Sequence, residues 1–185
     1  MEDKINKSIS VVIDMLKIRN YSNINSINDD NTYITGNKTD ENIVVYYVKN
    51  KSELSSKKNI ESLLSKQNLI DSKSSEQLKL IYVLCFLDSN TIPQKYLDLE
   101  NDNLQVFHIN NLQFNIMNHK LMPDFIKLSD SEIDDLSNTW NLQDLAKIKI
   151  TDPVCKYFDM KKNDIFKIIR ISNNSYKYIT YRIVI

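Results

Sequence analysis

A single glycine, Gly36, stands among 185 residues, alongside only three prolines. Glycine is the usual residue wherever backbone must pass through φ > 0, at tight turns and helix ends. A chain nearly without it must meet those positions with other side chains, and Asn and Asp enter that region most readily. The scarcity also excludes a glycine-rich loop that cradles a phosphate. Asn, Ile, Lys and Ser are used heavily instead, a bias that reads as AT-rich coding. With 42% hydrophobic and 26% charged residues, the composition is that of an ordinary globular protein with a packed core.

Basic and acidic residues number 24 each, so the formal net charge is zero. A free-standing nucleic-acid binder draws affinity from phosphate neutralisation and carries a positive excess, which is missing here. Cys85 and Cys155 lie far apart, each in an apolar stretch, and fit buried thiols of a reducing compartment. No apolar run approaches the ~20 residues of a membrane span, and Met1-Glu2-Asp3-Lys4 lacks a secretory profile. The expectation is a soluble intracellular protein with no membrane partner.

Ile5, Ile9, Val12 and Leu16 fall at helical spacing and predict an amphipathic helix over residues 4–19. A polar, Asn-rich loop is expected over 21–32. The continuous run Ile43-Val44-Val45-Tyr46-Tyr47-Val48 predicts a buried strand, as does 78–87. Residues 57–67 and 94–99 read as helices, and 104–109 as a further strand. Strands alternating with helices predict an α/β first half, its parallel or mixed sheet covered on both faces. In the second half, Ser129-Asp130-Ser131-Glu132 is a capping box, with Leu128 and Ile133 spaced as a hydrophobic staple. Asp130, Glu132, Asp134 and Asp135 sit where the helix dipole favours negative charge. Residues 147–150 alternate as a strand. Asp152 then caps a helix that opens on Pro153 and ends near Phe158. Strands at 165–171 and 176–185, joined by a turn at 172–175, complete a small α+β module with a mixed sheet.

Four blocks follow one another in the second half: His119-Lys120-Leu121-Met122-Pro123, Thr151-Asp152-Pro153-Val154-Cys155-Lys156-Tyr157-Phe158, Lys167-Ile168-Ile169-Arg170, and Tyr178-Ile179-Thr180-Tyr181-Arg182-Ile183-Val184. In order and spacing they resemble the small jaw subunit, the fifth, shared by eukaryotic RNA polymerases I, II and III. The C-terminal domain of that family is similar to a small archaeal RNA polymerase subunit that lacks the N-terminal domain. The resemblance implies an N-terminal jaw domain (1–118) with an endonuclease-like sheet, and a C-terminal assembly domain (119–185). It implies a non-catalytic subunit that docks on the largest polymerase subunit and lies near downstream duplex DNA within the complex. A cellular protein of this kind belongs in the nucleus; one from a large DNA virus belongs in host cytoplasm or virion. His119, Pro123, Asp152, Pro153, Lys156, Tyr157, Arg170, Lys177, Thr180, Tyr181 and Arg182 are the candidate partner-binding residues. Thr91, Pro93 and Lys95 stand where the family has a T-P-S-A-like segment, and are the DNA-proximal candidates. Where the family usually has glycine this chain has Asp159 and Asn163, both expected at φ > 0.

An endonuclease-like sheet raises the alternative of a metal-dependent nuclease, which needs an acid and a lysine two residues apart on a central strand. Here that strand ends Tyr47-Val48-Lys49, with tyrosine at the acid position. Asp40 and Glu41 read as loop charges, and His108 and His119 as structural residues without ligand partners. No catalytic residue, metal, cofactor or small-molecule ligand is expected. A free-standing adaptor carrying the archaeal-like C-terminal module is the other alternative. From Lys147 onward nine basic residues face three acidic ones, whereas residues 1–118 hold 13 basic and 15 acidic. The basic end is the expected docking surface.

Overall fold

The computed structural model describes residues 1–28, 32–39, 41–54, 77–89, 91–171 and 177–185. The expected helix at 57–67, the turn at 172–175 and Asp40 lie outside them. The chain forms two compact units, Met1–Phe114 and Asn115–Ile185. The division precedes the expected 118/119 boundary, because Ile116 and Met117 pack into the core of the second unit.

The first unit opens with α1 (Glu2–Ile18), whose Ile5, Val11, Val12, Met15 and Leu16 are buried along one face. Glu2 and Asp3 sit at its positive end and Lys17 at its negative one, as the dipole favours. Asn20, at φ 66°, turns the chain away. Five strands follow: β1 (Ser22–Asn28), β2 (Thr32–Lys38), β3 (Glu41–Val48), β4 (Gln77–Leu84) and β5 (Leu104–His108). They lie side by side in chain order. The first three are antiparallel, and β3, β4 and β5 are parallel.

Alternation along strands separates two faces. Tyr33, Val44, Tyr46, Val48, Tyr82, Leu84 and Val106 form one core with Tyr96 of the short helix α2 (Gln94–Leu97). Ile34, Ile43, Val45, Tyr47, Ile81 and Val83 point the other way and are buried too. From α1, Ser8 donates to the Ile5 carbonyl at 2.7 Å and lies 3.0 Å from the Tyr47 hydroxyl. Gly36 sits on this face without positive φ. A Cβ there would lie 3.3 Å from both Ile43 Cγ2 and Tyr21 Cβ, so close packing, not backbone freedom, accounts for the glycine.

The loop expected at 21–32 is corrected: Ser22–Asn28 is an edge strand and Thr32 begins its neighbour. Only Ile24 and Ile27 of the described β1 side chains are half-buried, so no alternating apolar signal was available. Asn23 at φ 50° and a register shift between Ser22 and Asn25 interrupt the strand further.

The second unit holds β6 (Asp124–Lys127), α3 (Asp130–Ser137), β7 (Ala146–Ile148), α4 (Pro153–Phe158), β8 (Ile165–Ile171) and β9 (Lys177–Val184). The sheet order is β6-β8-β9-β7, with only β7 and β9 parallel. Ser129 and Glu132 close the expected capping box. Asp152 Oδ1 accepts from the Val154 N–H at 2.9 Å, with Pro153 at the first helical position. On one face of the sheet, Phe166, Ile168 and Val184 pack with Val154, Cys155, Met160 and Phe158 from α4 and the turn after it. Phe125 and Phe158 each meet Phe166 edge-on at 5.2 Å. On the other, Ile165, Tyr181 and Ile183 pack with Leu128, Ile133 and Leu136 around α3. Asp159 and Asn163 take φ 53° and 73°, the left-handed backbone expected of them and one that Asp and Asn enter more readily than other non-glycine residues. Among the described residues, no helix is long and apolar enough to cross a membrane.

Candidate interaction surfaces

The predicted partner-binding residues do not converge on one patch. His119 is exposed in the turn before β6, its Nδ1 accepting from the Leu121 N–H at 3.3 Å. Pro123 is half-buried at the entry to β6. Asp152, Pro153 and Tyr157 build α4: the first caps it and the last is buried within it. Lys156 is half-buried on the same helix. Asp152 and Pro153 thereby fix the start of the helix, and Tyr157 packs it inward.

The charged and polar residues of β8 and β9 divide between the two faces of the sheet. Arg170 lies across from Tyr178, Ile168 from Thr180 and Phe166 from Arg182, so Arg170, Thr180 and Arg182 share the α4 face. Lys177 and Tyr181 lie on the α3 face, opposite Ile171 and Lys167. Arg170 and Lys177 are exposed, whereas Thr180, Tyr181 and Arg182 are half-buried. Arg170 and Lys177 thus stand at the outer end of the two strands, whereas Lys167 and Arg182 lie nearer the inner end.

Sequence reasoning missed the apolar surface around them. Trp140, Ile126, Ile171, Tyr178 and Ile179 are all exposed. Periodicity predicts which residues share a face, but does not reveal whether another layer covers that face. A groove of ≈ 340 Å³ runs between α3 and the sheet, lined by Leu128, Glu132, Asp135, Leu136, Thr139, Trp140, Lys167 and Tyr181. The Glu132 carboxylate is held below its ordinary range, first by the Ser129 N–H it accepts and then by the Ser129 hydroxyl. Both contacts are 2.8 Å, and Lys167 adds to the effect.

In the first unit, Thr91, Pro93 and Lys95 are all exposed around the start of α2. The Thr91 carbonyl accepts from the Ser89 hydroxyl at 3.0 Å. Lys95 Nζ stands 4.9 Å from the centre of the Tyr96 ring, a cation–π contact that leaves the charge at the surface.

The strand position that a nuclease would give to an acid is held by Tyr47, a buried phenol whose pKa is raised by burial. Glu41, expected in a loop, instead starts β3, 3.4 Å from Lys79 Nζ and accepting from the Tyr21 hydroxyl. Burial pushes the Cys85 thiol up to about 12 and the Cys155 thiol to about 11, which suppresses the thiolate. His108 is fully buried, its Nδ1 accepting from the Asn110 N–H at 3.0 Å. Among the described residues, no three His, Cys, Asp or Glu side chains gather as a metal site.

Comparison with known proteins finds the resemblance read from the four sequence blocks. Residues 114–184 match the family model described as RNA polymerase Rpb5, C-terminal domain. A Caenorhabditis elegans protein named DNA-directed RNA polymerases I, II, and III subunit RPABC1 is 37% identical over 76 residues, covering 40% of this chain and 36% of that protein. The DNA-directed RNA polymerase subunit 5-like protein 1 of Arabidopsis thaliana is 36% identical over 84 residues, or 44% of this chain and 40% of its own length. DNA-directed RNA polymerase subunit 5 of Acanthamoeba polyphaga mimivirus is 36% identical over 83 residues, with the same two shares. The matches thus span well under half of these relatives.

Proposed function

We propose that this chain is a non-catalytic subunit of a multisubunit DNA-directed RNA polymerase. The observation that carries the reading is the similarity of residues 114–184 to the C-terminal domain of Rpb5, the segment that forms most of the second unit. That unit docks on the largest polymerase subunit, with the basic outer end of β8 and β9 at the contact. Arg170 and Lys177 are its exposed cations, and Arg is favoured at interfaces for its planar, multidentate donors.

The first unit acts as the jaw. Its five-stranded mixed sheet, flanked by α1 and α2, suits the endonuclease-like arrangement expected of such a domain. The surface at Thr91, Pro93 and Lys95 faces downstream duplex DNA. With zero formal net charge, the isolated chain binds duplex DNA poorly, and DNA contact depends on the surrounding complex. A cellular version works in the nucleus, and a viral one in host cytoplasm or the virion. The nuclease alternative lacks its carboxylate at Tyr47, and no observation favours it.

Affinity purification of the full chain from its native source, followed by mass spectrometry, tests the reading. The largest polymerase subunit is expected in the purified complex, and Arg170→Glu combined with Lys177→Glu should reduce its recovery by about tenfold or more. A complex without polymerase subunits refutes the proposal.

A further inference from the structure

The α3 wall of the groove in the second unit is acidic, opposite in sign to the basic strand ends. Trp140, the only tryptophan of the chain, is 58% exposed at the groove's rim, although a ring of that size is normally covered. Tyr181 and Lys167 form the floor. Strand alternation then places Ile126, Ile169, Ile171 and Ile179 on the same face as Tyr181. Ile126 and Ile179 are 43% and 46% exposed, and Ile171 is 75% exposed. The groove and the isoleucine strip thus share one face of the sheet, with Lys167 between them, and exposed aliphatic side chains grouped in this way mark a binding site.

The wall of the groove selects the partner. Along α3, Asp130, Glu132, Asp134 and Asp135 are all exposed carboxylates, and the helix contains no basic residue. Glu132 and Asp135 line the groove itself. Lys167 in the floor is the one cation among these lining residues. A nucleic-acid backbone would bring phosphates against this wall and be repelled. A peptide with apolar anchors on one side and Lys or Arg on the other satisfies both surfaces at once.

We infer that the groove between α3 and the sheet, with the Ile126–Ile179 strip beside it, binds a basic amphipathic segment of a partner polypeptide, with Trp140 and Tyr181 gripping its apolar side chains and the α3 carboxylates its cations. The groove lies toward the inner end of the sheet, although the strip beside it reaches Ile171, the cross-strand partner of Lys177. Peptide binding is tested without a polymerase, so it and the docking reading fail independently.

Trp140 supplies the readout. The full-length chain is titrated with a short amphipathic peptide of leucine and lysine, and in parallel with its leucine–glutamate counterpart and with duplex DNA. The leucine–lysine peptide should shift Trp140 emission to the blue in a saturable way, as the indole leaves water. Glu132→Lys with Asp135→Lys should weaken that binding by about tenfold or more. Should the double reversal unfold α3, Thr139→Glu adds a carboxylate at an exposed position on the rim and should tighten binding instead. An equal shift with the acidic peptide or with DNA, no shift with the basic one, or affinity unchanged by the substitutions overturns the inference.

Discussion

Two strands of equal length show how differently the units use the same material. β3 and β9 each run for eight residues rich in β-branched and aromatic side chains. In β3 the last six positions are buried, because α1 lies on one face of the sheet and the aromatic core around Tyr96 on the other. In β9 only Val184 is buried, and the first three residues are exposed. α3 and α4 cover the inner end of the second sheet and leave the outer end of β8–β9 open. Among the described residues, β3 is covered on both faces, whereas the outer end of β8–β9 leaves apolar side chains exposed. Hydrophobic sequence alone does not separate these cases; the number of covering layers does.

The sharpest way to break this comparison is to empty the smaller core. Phe166 is fully buried and contacts two further rings. Truncation to Ala costs about 3–5 kcal/mol, comparable to the whole stability a core of that size supplies. Phe166→Ala should therefore unfold the second unit while Met1–Phe114 stays resistant to proteolysis. Survival of both units, or simultaneous loss of both, would contradict two separate cores.

A smaller effect is expected at the left-handed positions. Asp159→Gly and Asn163→Gly should be neutral or mildly stabilising, whereas Asn163→Val should cost on the order of 1–2 kcal/mol. The shift of the urea midpoint, followed by Trp140 fluorescence, measures it. An unchanged midpoint for the valine variant would mean that the turn before β8 does not need φ > 0.

The smallest effect concerns the α3 cap. The Glu132 pKa is depressed in the folded chain, so its contribution is present above the ordinary glutamate pKa. It is lost as pH falls through the lower folded value. Glu132→Gln should lower the melting temperature slightly at neutral pH, and the two proteins should converge in acid. A difference that persists at low pH would assign the effect to shape rather than charge.

Features set by local chemistry were legible in the sequence. Spaced apolar residues located α1, Ser129 with Glu132 located α3, and Asp152 with Pro153 located α4. The left-handed turns at Asp159 and Asn163 came instead through the family resemblance and the sterics of Asx residues. β1 was not readable, since this edge strand half-buries only Ile24 and Ile27 among its described side chains, three residues apart, and shows no apolar alternation. β6 was missed because four residues carry too little pattern. The interaction surfaces were half legible. The basic excess of the C-terminal segment showed in the residue count, but Trp140 at a groove rim depends on where α3 ends against the sheet.

The near absence of glycine also acts where no contact is visible. Each glycine replaced by a larger residue narrows the conformations open to the denatured chain, which favours the native state by about 0.4–1 kcal/mol where the native backbone permits it. At Asn20, Asn23, Asp159 and Asn163, all at positive φ, this gain is offset by steric cost of similar size. Elsewhere it is retained. Part of this protein's stability thus resides in a stiffer unfolded ensemble, and glycines introduced at ordinary loop positions would erode it without disturbing a single native contact.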